Sequence, residues 1–130
     1  VINSLVASDY FLVPCSASYI SLRGIRLLYK TIENIKKELG HEIKNLGYLL
    51  TMFDKRKTIS SDVENILRVK FGKKVFKNKI RVNSKLESSQ ELKKTIFEMR
   101  DDKGMKDYYS VSKEFISRID NSHNHLKKVS

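Results

Sequence analysis

The densest concentration of chemically useful side chains lies in the middle of the chain. Between Lys55 and Lys85 stand eleven basic residues: Lys55, Arg56, Lys57, Arg68, Lys70, Lys73, Lys74, Lys77, Lys79, Arg81 and Lys85. Only Asp62 and Glu64 oppose them there. Basic side chains in turns and at strand ends can converge on phosphates, giving sequence-independent, salt-sensitive affinity for nucleic acid. A solvated face of a lysine-rich protein gives the same pattern, and charge alone does not separate the two. Other reactive side chains are sparse. Cys15 follows Pro14 in an apolar run and reads as a buried structural thiol. His123 and His125 flank Asn124 in a polar stretch, too little for a metal site. His41 follows Gly40 in a turn. The six tyrosines are scattered and not spaced as a base-stacking platform.

The whole chain has the same bias. Its 130 residues carry a net charge of +11, with 40% apolar and 32% charged residues. This is one globular domain at most, with a polyanionic partner favoured by charge. A single cysteine excludes an intramolecular disulfide and any multi-cysteine cluster, and no apolar run has the length of a bilayer span. A reducing, cytoplasmic setting follows.

Elements that could position the basic residues alternate along the chain. Residues 1–9 read as the back half of an amphipathic helix, as though the chain began inside a larger unit. Tyr10–Cys15 is an apolar run of strand length. Leu22, Ile25, Leu28, Ile32, Ile35 and Leu39 recur at helical spacing, with Gly40 placed as the C-terminal stop. Leu46–Phe53 is apolar on both faces, as in a central parallel strand. Ser61 and Glu64 have the spacing of a capping box ahead of a helix that carries Val63, Ile66, Leu67 and Phe71 and ends at Gly72. Val75–Ile80 alternates like a third strand. Residues 84–99 fit either a short helix or a small strand. Met105, Tyr108, Phe115, Ile116 and Ile119 mark a closing helix over residues up to 119, and residues 120–130 read as a disordered tail. Strand, helix, strand, helix, strand, helix is the grammar of a doubly wound α/β sheet.

In this order, several segments resemble ParA/Soj-type partition ATPases of the ParA/MinD superfamily. Asn3-Ser4-Leu5-Val6-Ala7-Ser8-Asp9 followed by Leu12-Val13-Pro14 is similar to the helix and strand that follow that family's Walker B strand. Tyr19-Ile20-Ser21-Leu22-Arg23-Gly24-Ile25 looks like its Y-x-A-L-x-G-L. Gly47-Tyr48-Leu49-Leu50-Thr51-Met52-Phe53-Asp54 resembles G-V-L-L-T-M-x-D. Lys74-Val75-Phe76-Lys77, with Ile80, Asn83 and Leu86, resembles K-V-F-K-T-x-I-P-R-N-x-R-L. The likeness covers residues 1–119 and only the carboxyl-terminal half of the family. The phosphate-binding loop K-G-G-V-G-K-T and the catalytic aspartates of the upstream half have no counterpart between Val1 and Ser130.

The resemblance implies the carboxyl-terminal half of a doubly wound, mostly parallel P-loop NTPase-like sheet with flanking helices. It implies ATP and Mg²⁺ for the intact family protein, an ATP-dependent dimer of the protein with itself, non-specific DNA binding at the nucleoid, and stimulation by a ParB-type centromere-binding partner. By position, Arg56 and Lys85 would contact DNA, flanked by Lys55 and Lys57, and Met52, Arg81 and Asn83 would border the nucleotide base. The family's I-P-R-N is here Ile80-Arg81-Val82-Asn83, without the proline. No catalytic or metal-binding residue is assigned, and the chain alone is expected to lack ATPase activity. No membrane anchor is expected, since Leu126 and Val129 give too little apolar face. The alternative is a stand-alone basic nucleic-acid-binding module without catalysis.

Overall fold

A computed structural model describes residues 2–18, 22–100 and 102–127. The first three residues of the Tyr19–Ile25 motif therefore lie outside the described residues. The elements are α1 (Ile2–Val6), β1 (Tyr10–Ser16), α2 (Leu22–Leu39), β2 (Lys44–Thr51), α3 (Thr58–Phe71), a 3₁₀ turn (Gly72–Lys74), α4 (Ser84–Glu91) and α5 (Asp102–Lys127). β1 and β2 pair in parallel, from Tyr10 opposite Lys44 to Ser16 opposite Thr51, with one irregularity between Phe11 and Leu12. A parallel pair needs a crossover, and α2 supplies it.

The two faces of this sheet are covered unequally. On one, Cys15, Tyr48 and Leu50 pack against Ile25 of α2 and against Val63 and Leu67 of α3, with Phe71 stacked on the Tyr48 ring. Burial raises the Cys15 thiol above its ordinary range, as suits a structural thiol. On the other face, Leu49, Phe76, Ile80 and Val111 of α5 form a smaller cluster that Leu12 joins. A third cluster, Leu5, Ile35 and Ile43, ties α1 to the far end of α2.

The expected third strand runs where it should but is not a regular strand. Phe76 donates its N–H to the Tyr48 carbonyl (2.8 Å), Ile80 to Leu50 (2.9 Å) and Val82 to Phe53 (3.0 Å), and Phe53 donates to Ile80 (3.0 Å). The segment thus follows β2 in parallel, yet only Val75 and Arg81 form bridges. Between them the N–H groups of Lys77 and Asn78 turn away to the Glu114 carboxylate of α5, at 2.8 and 2.9 Å. A carboxylate accepting charge-assisted bonds outcompetes a neutral carbonyl for those donors.

Two further expectations change, and one open reading closes. α3 begins at Thr58, so Ser61 is inside the helix and no side chain caps it. Glu64 instead pairs with Arg68 at 2.8 Å and with Lys79. Residues 84–91 are helical, with the Asn83 side chain accepting the Lys85 N–H (2.9 Å). The expected loose tail from residue 120 is helical through Lys127. No glycine or proline stops α5, and the His123 ring packs edge-on against Tyr10 (5.9 Å). Residues 128–130 lie outside the described residues.

Glu114 gives the chain an acid sensitivity. Burial alone would raise its carboxyl, but the N–H groups of Asn78 and Lys77, the Asn78 amide and Arg118 hold it below the usual glutamate range. A carboxyl depressed in the folded state stabilises above its unfolded value of about 4.3, and that contribution is lost as pH falls through the lower folded value. The urea midpoint should therefore fall between pH 6 and pH 3, and less steeply in Glu114→Gln. Equal slopes for the two proteins would remove Glu114 from the acid response.

Candidate nucleic-acid interface

The carboxyl ends of β2 and of the 75–81 segment are locked side by side by the Phe53–Arg81 bridge. Two turns consequently emerge at one edge: Asp54-Lys55-Arg56-Lys57 before α3, and Arg81-Val82-Asn83 before α4. Between them opens a cleft of about 510 Å³ lined by Phe53, Asp54, Lys55, Arg56, Arg81, Val82, Asn83 and Ser84, and by Lys103 and Asp107 of α5. In an open parallel sheet this edge is where ligands bind.

The expected residues are placed as follows. Lys55, Arg56 and Lys57 are exposed on the first turn, and Lys85 is exposed on the first turn of α4, next to Ser84 of the cleft wall. Arg81 and Asn83 line the cleft; Met52 does not. Met52 sits at φ 51°, a left-handed conformation at the end of β2, and its side chain is 61% exposed. Lys103 and Asp107 escaped sequence reasoning, because nothing local says that α5 starts above this edge.

Two arginines of the cleft are held by carboxylates. Arg81 lies against Asp107, with Nη2 at 2.6 Å from Oδ1 and Nε at 2.9 Å from Oδ2, and its backbone N–H bonds the same carboxylate at 3.0 Å. This pair fastens the start of α5 to the second turn. Arg56 folds back on Asp54, with Nε and Nη2 at 3.0 and 2.9 Å from the carboxylate. Those side-chain bonds, with the Arg56 N–H, lower the Asp54 carboxyl to about 2. The Arg56 side chain stays 86% exposed, and its Nη1 has no protein partner among the described residues.

The basic run of the sequence is not one patch. Lys79 and Arg68 are spent on Glu64. Lys73 and Lys74 lie at the opposite end of the sheet, in a groove with Tyr10, Asn45 and Arg118, and Lys74 donates to the Asn45 carbonyl at 3.0 Å.

No protein-family model matches the chain. Among curated proteins it is 33% identical over 119 residues to the chromosome-partitioning ATPase Soj of Thermus thermophilus, covering 91% of this chain and 48% of that protein. It is also 33% identical over 119 residues to the chromosome partitioning protein ParA of Myxococcus xanthus, covering 90% and 42%. The chain is homologous to the carboxyl-terminal portion of the ParA/Soj partition proteins. It spans less than half the length of these ParA/Soj relatives. Among solved structures it resembles cobyrinic acid a,c-diamide synthase from Mycobacterium smegmatis, with a TM-score of 0.54 and 28% identity, over 64% of this chain and 34% of that one. The architecture is accordingly part of a P-loop NTPase-like α/β fold. No helix among the described residues is long and apolar enough to cross a membrane.

The ParA/Soj relationship implies a nucleotide and Mg²⁺, and the cleft meets that only in part. Phe53, Val82, Arg81 and Asn83 supply apolar surface and polar groups of the kind that border a base. The carboxylates Asp54 and Asp107 are both engaged by arginines, and no cluster of metal-ligating side chains occurs among the described residues. The residues present therefore do not fit the metal end of such a ligand. The arrangement's own chemistry is cationic: it can hold phosphate oxygens.

Proposed function

We propose that this edge binds DNA phosphates without sequence preference, as part of an ATP-dependent partition protein. In that protein ATP and Mg²⁺ would be bound mainly by the remaining portion and would join two copies. A ParB-type partner would end the DNA-bound state. The adjacency of the 54–57 and 81–85 turns carries the reading: it gathers Lys55, Arg56, Lys57 and Lys85 at one edge, where one duplex backbone could touch them all. Arg56 offers its free Nη1 edge while Asp54 fixes the rest of the guanidinium. Lys85 offers a point charge without the bidentate fork.

A salt titration of the intact protein on random-sequence duplex tests this. Arg56→Ala combined with Lys85→Ala should weaken binding to all sequences alike, about tenfold at 0.1 M salt, and reduce the slope of log affinity against log salt by about two. Lys73→Ala, at the opposite end of the sheet, should leave both unchanged. Wild-type affinity in the double variant would return these residues to a solvated role.

A further inference from the structure

On the sheet face built from Cys15, Tyr48 and Leu50, α2 and α3 lie side by side, and a groove of about 460 Å³ opens between them. Its floor is apolar and aromatic, made by Ile25 and Tyr29 of α2 and by Phe71 at the end of α3. Both rings are fixed from below. Phe71 stacks on Tyr48 with centroids 4.0 Å apart. Tyr29 is set edge-on against Phe11, and its hydroxyl bonds that of Tyr48 and accepts from the Asn45 amide at 2.5 Å. The apolar surface continues along α3, where Ile66, one turn back from Lys70 on the same flank, is 50% exposed. The rim is cationic. Arg26 and Lys30 stand one turn apart on α2, and Lys70 lines the groove from α3; all three are exposed, and none makes an ion pair among the described residues. Among the described residues, Glu33 is the one carboxylate lining the groove. Three mutually repelling cations around a rigid apolar floor are complementary to an anion that carries its own apolar group.

We propose that this groove docks an acidic segment of a partner protein, whose aliphatic or aromatic side chain rests between Tyr29 and Phe71 while its carboxylates meet Arg26, Lys30 and Lys70. The charge pattern selects this occupant. A second copy of the chain would bring the same three cations against their like, which is repulsive. A phosphate backbone has no group to place against Ile25, Tyr29 and Phe71. A bilayer surface is flat, whereas these cations stand on the two walls of a concave groove. The apolar seat exists before the partner arrives, because Asn45, Tyr48 and Phe11 already hold its rings, and a preorganised seat lowers the ordering cost of docking. Lys70 and Phe71 lie at the end of α3 away from the Asp54–Lys57 turn. The groove therefore shares no residue with the DNA edge, and the proposal does not depend on the DNA reading.

The test selects displayed random peptides of about twelve residues on the intact protein, then measures the affinities of synthetic copies by fluorescence anisotropy. The enriched sequences should be net acidic and carry Phe, Trp, Leu or Ile. Lys70→Glu should weaken their binding at least about tenfold, and so should replacing the peptide's apolar anchor by Ala. Lys106→Glu, the same charge change on the exposed side of α5, should leave the affinity within about twofold of wild type. Three results would overturn the proposal. One is a selection that enriches no acidic sequences. Another is a set of acidic peptides that bind the Lys70→Glu variant as tightly as wild type. The third is a loss of retention on random-sequence duplex or on phosphatidylglycerol vesicles that is larger for Lys70→Glu than for Lys106→Glu, which would give these cations to a nucleic acid or to a membrane.

Discussion

Arg118→Ala is expected to lower the unfolding free energy by about 3 kcal/mol, measured as a fall in the urea midpoint. The Arg118 guanidinium donates to the carbonyls of Leu46 and Lys74 through Nη1 (3.1 and 3.2 Å) and of Lys73 and Val75 through Nη2 (3.2 and 3.1 Å). It pairs with Glu114 at 2.9 Å and lies over the Phe76 ring at 4.1 Å. One planar fork thus closes the place where β2, the 3₁₀ turn and α5 meet. Truncation strands several carbonyls, those of Leu46 and Val75 at partly buried bonds, and leaves Glu114 without its cation. Arg118→Lys should lose most of the same stability, since one ammonium cannot span four carbonyls. Lys106→Ala on the exposed side of α5 should stay within about 0.5 kcal/mol of wild type. A loss under about 1 kcal/mol for Arg118→Ala would mean that apolar packing around Val111 holds α5 unaided.

Gly47→Ala should cost at least as much, about 3–4 kcal/mol. Gly47 has φ +146°, outside the range that a side chain readily adopts, and a Cβ there would collide with the Lys74 carbonyl oxygen. It would also stand 2.9 Å from both the Phe76 ring and Arg118 Nη1. The tight fit follows from Phe76 donating to Tyr48 at 2.8 Å, which draws the 74–76 segment against β2. Relief requires that segment to move, so the bridge from Val75 to Tyr48 should weaken first. Thermal melts of Gly47→Ala, Arg118→Ala and the double variant form the check. Both positions share the Lys74 carbonyl, so the double variant should lose clearly less than the two single losses combined. Additive losses would show that the two act through separate contacts.

Much of the fold was legible because periodicity records which side chains leave water. The helix from Leu22 to Leu39 and its stop at Gly40 follow from apolar spacing and one glycine at φ 63°. The parallel β1–β2 pair follows from two short apolar runs separated by a helix. The ordered motifs around Gly47, Asp54 and Asn83 were enough to assign the family, and they mark the two turns that border the cleft.

What the sequence by itself determined was therefore local: where helices run, where the chain turns, which residues seek the interior. Only the tertiary structure decided the long-range competitions. Glu114, thirty-six residues away from Asn78 in sequence, takes the N–H groups that would have completed a third strand. Arg118 and the His123–Tyr10 contact extend a helix through what read as a tail. The basic run is not one patch: Glu64 draws in Arg68 and Lys79, Asp54 claims part of Arg56, and Lys73 and Lys74 stand at the opposite end of the sheet. In each case the local pattern permits several partners for one donor or charge. The choice belongs to whichever acceptor the fold brings within about 3 Å, where a charge-assisted bond outweighs the alternatives.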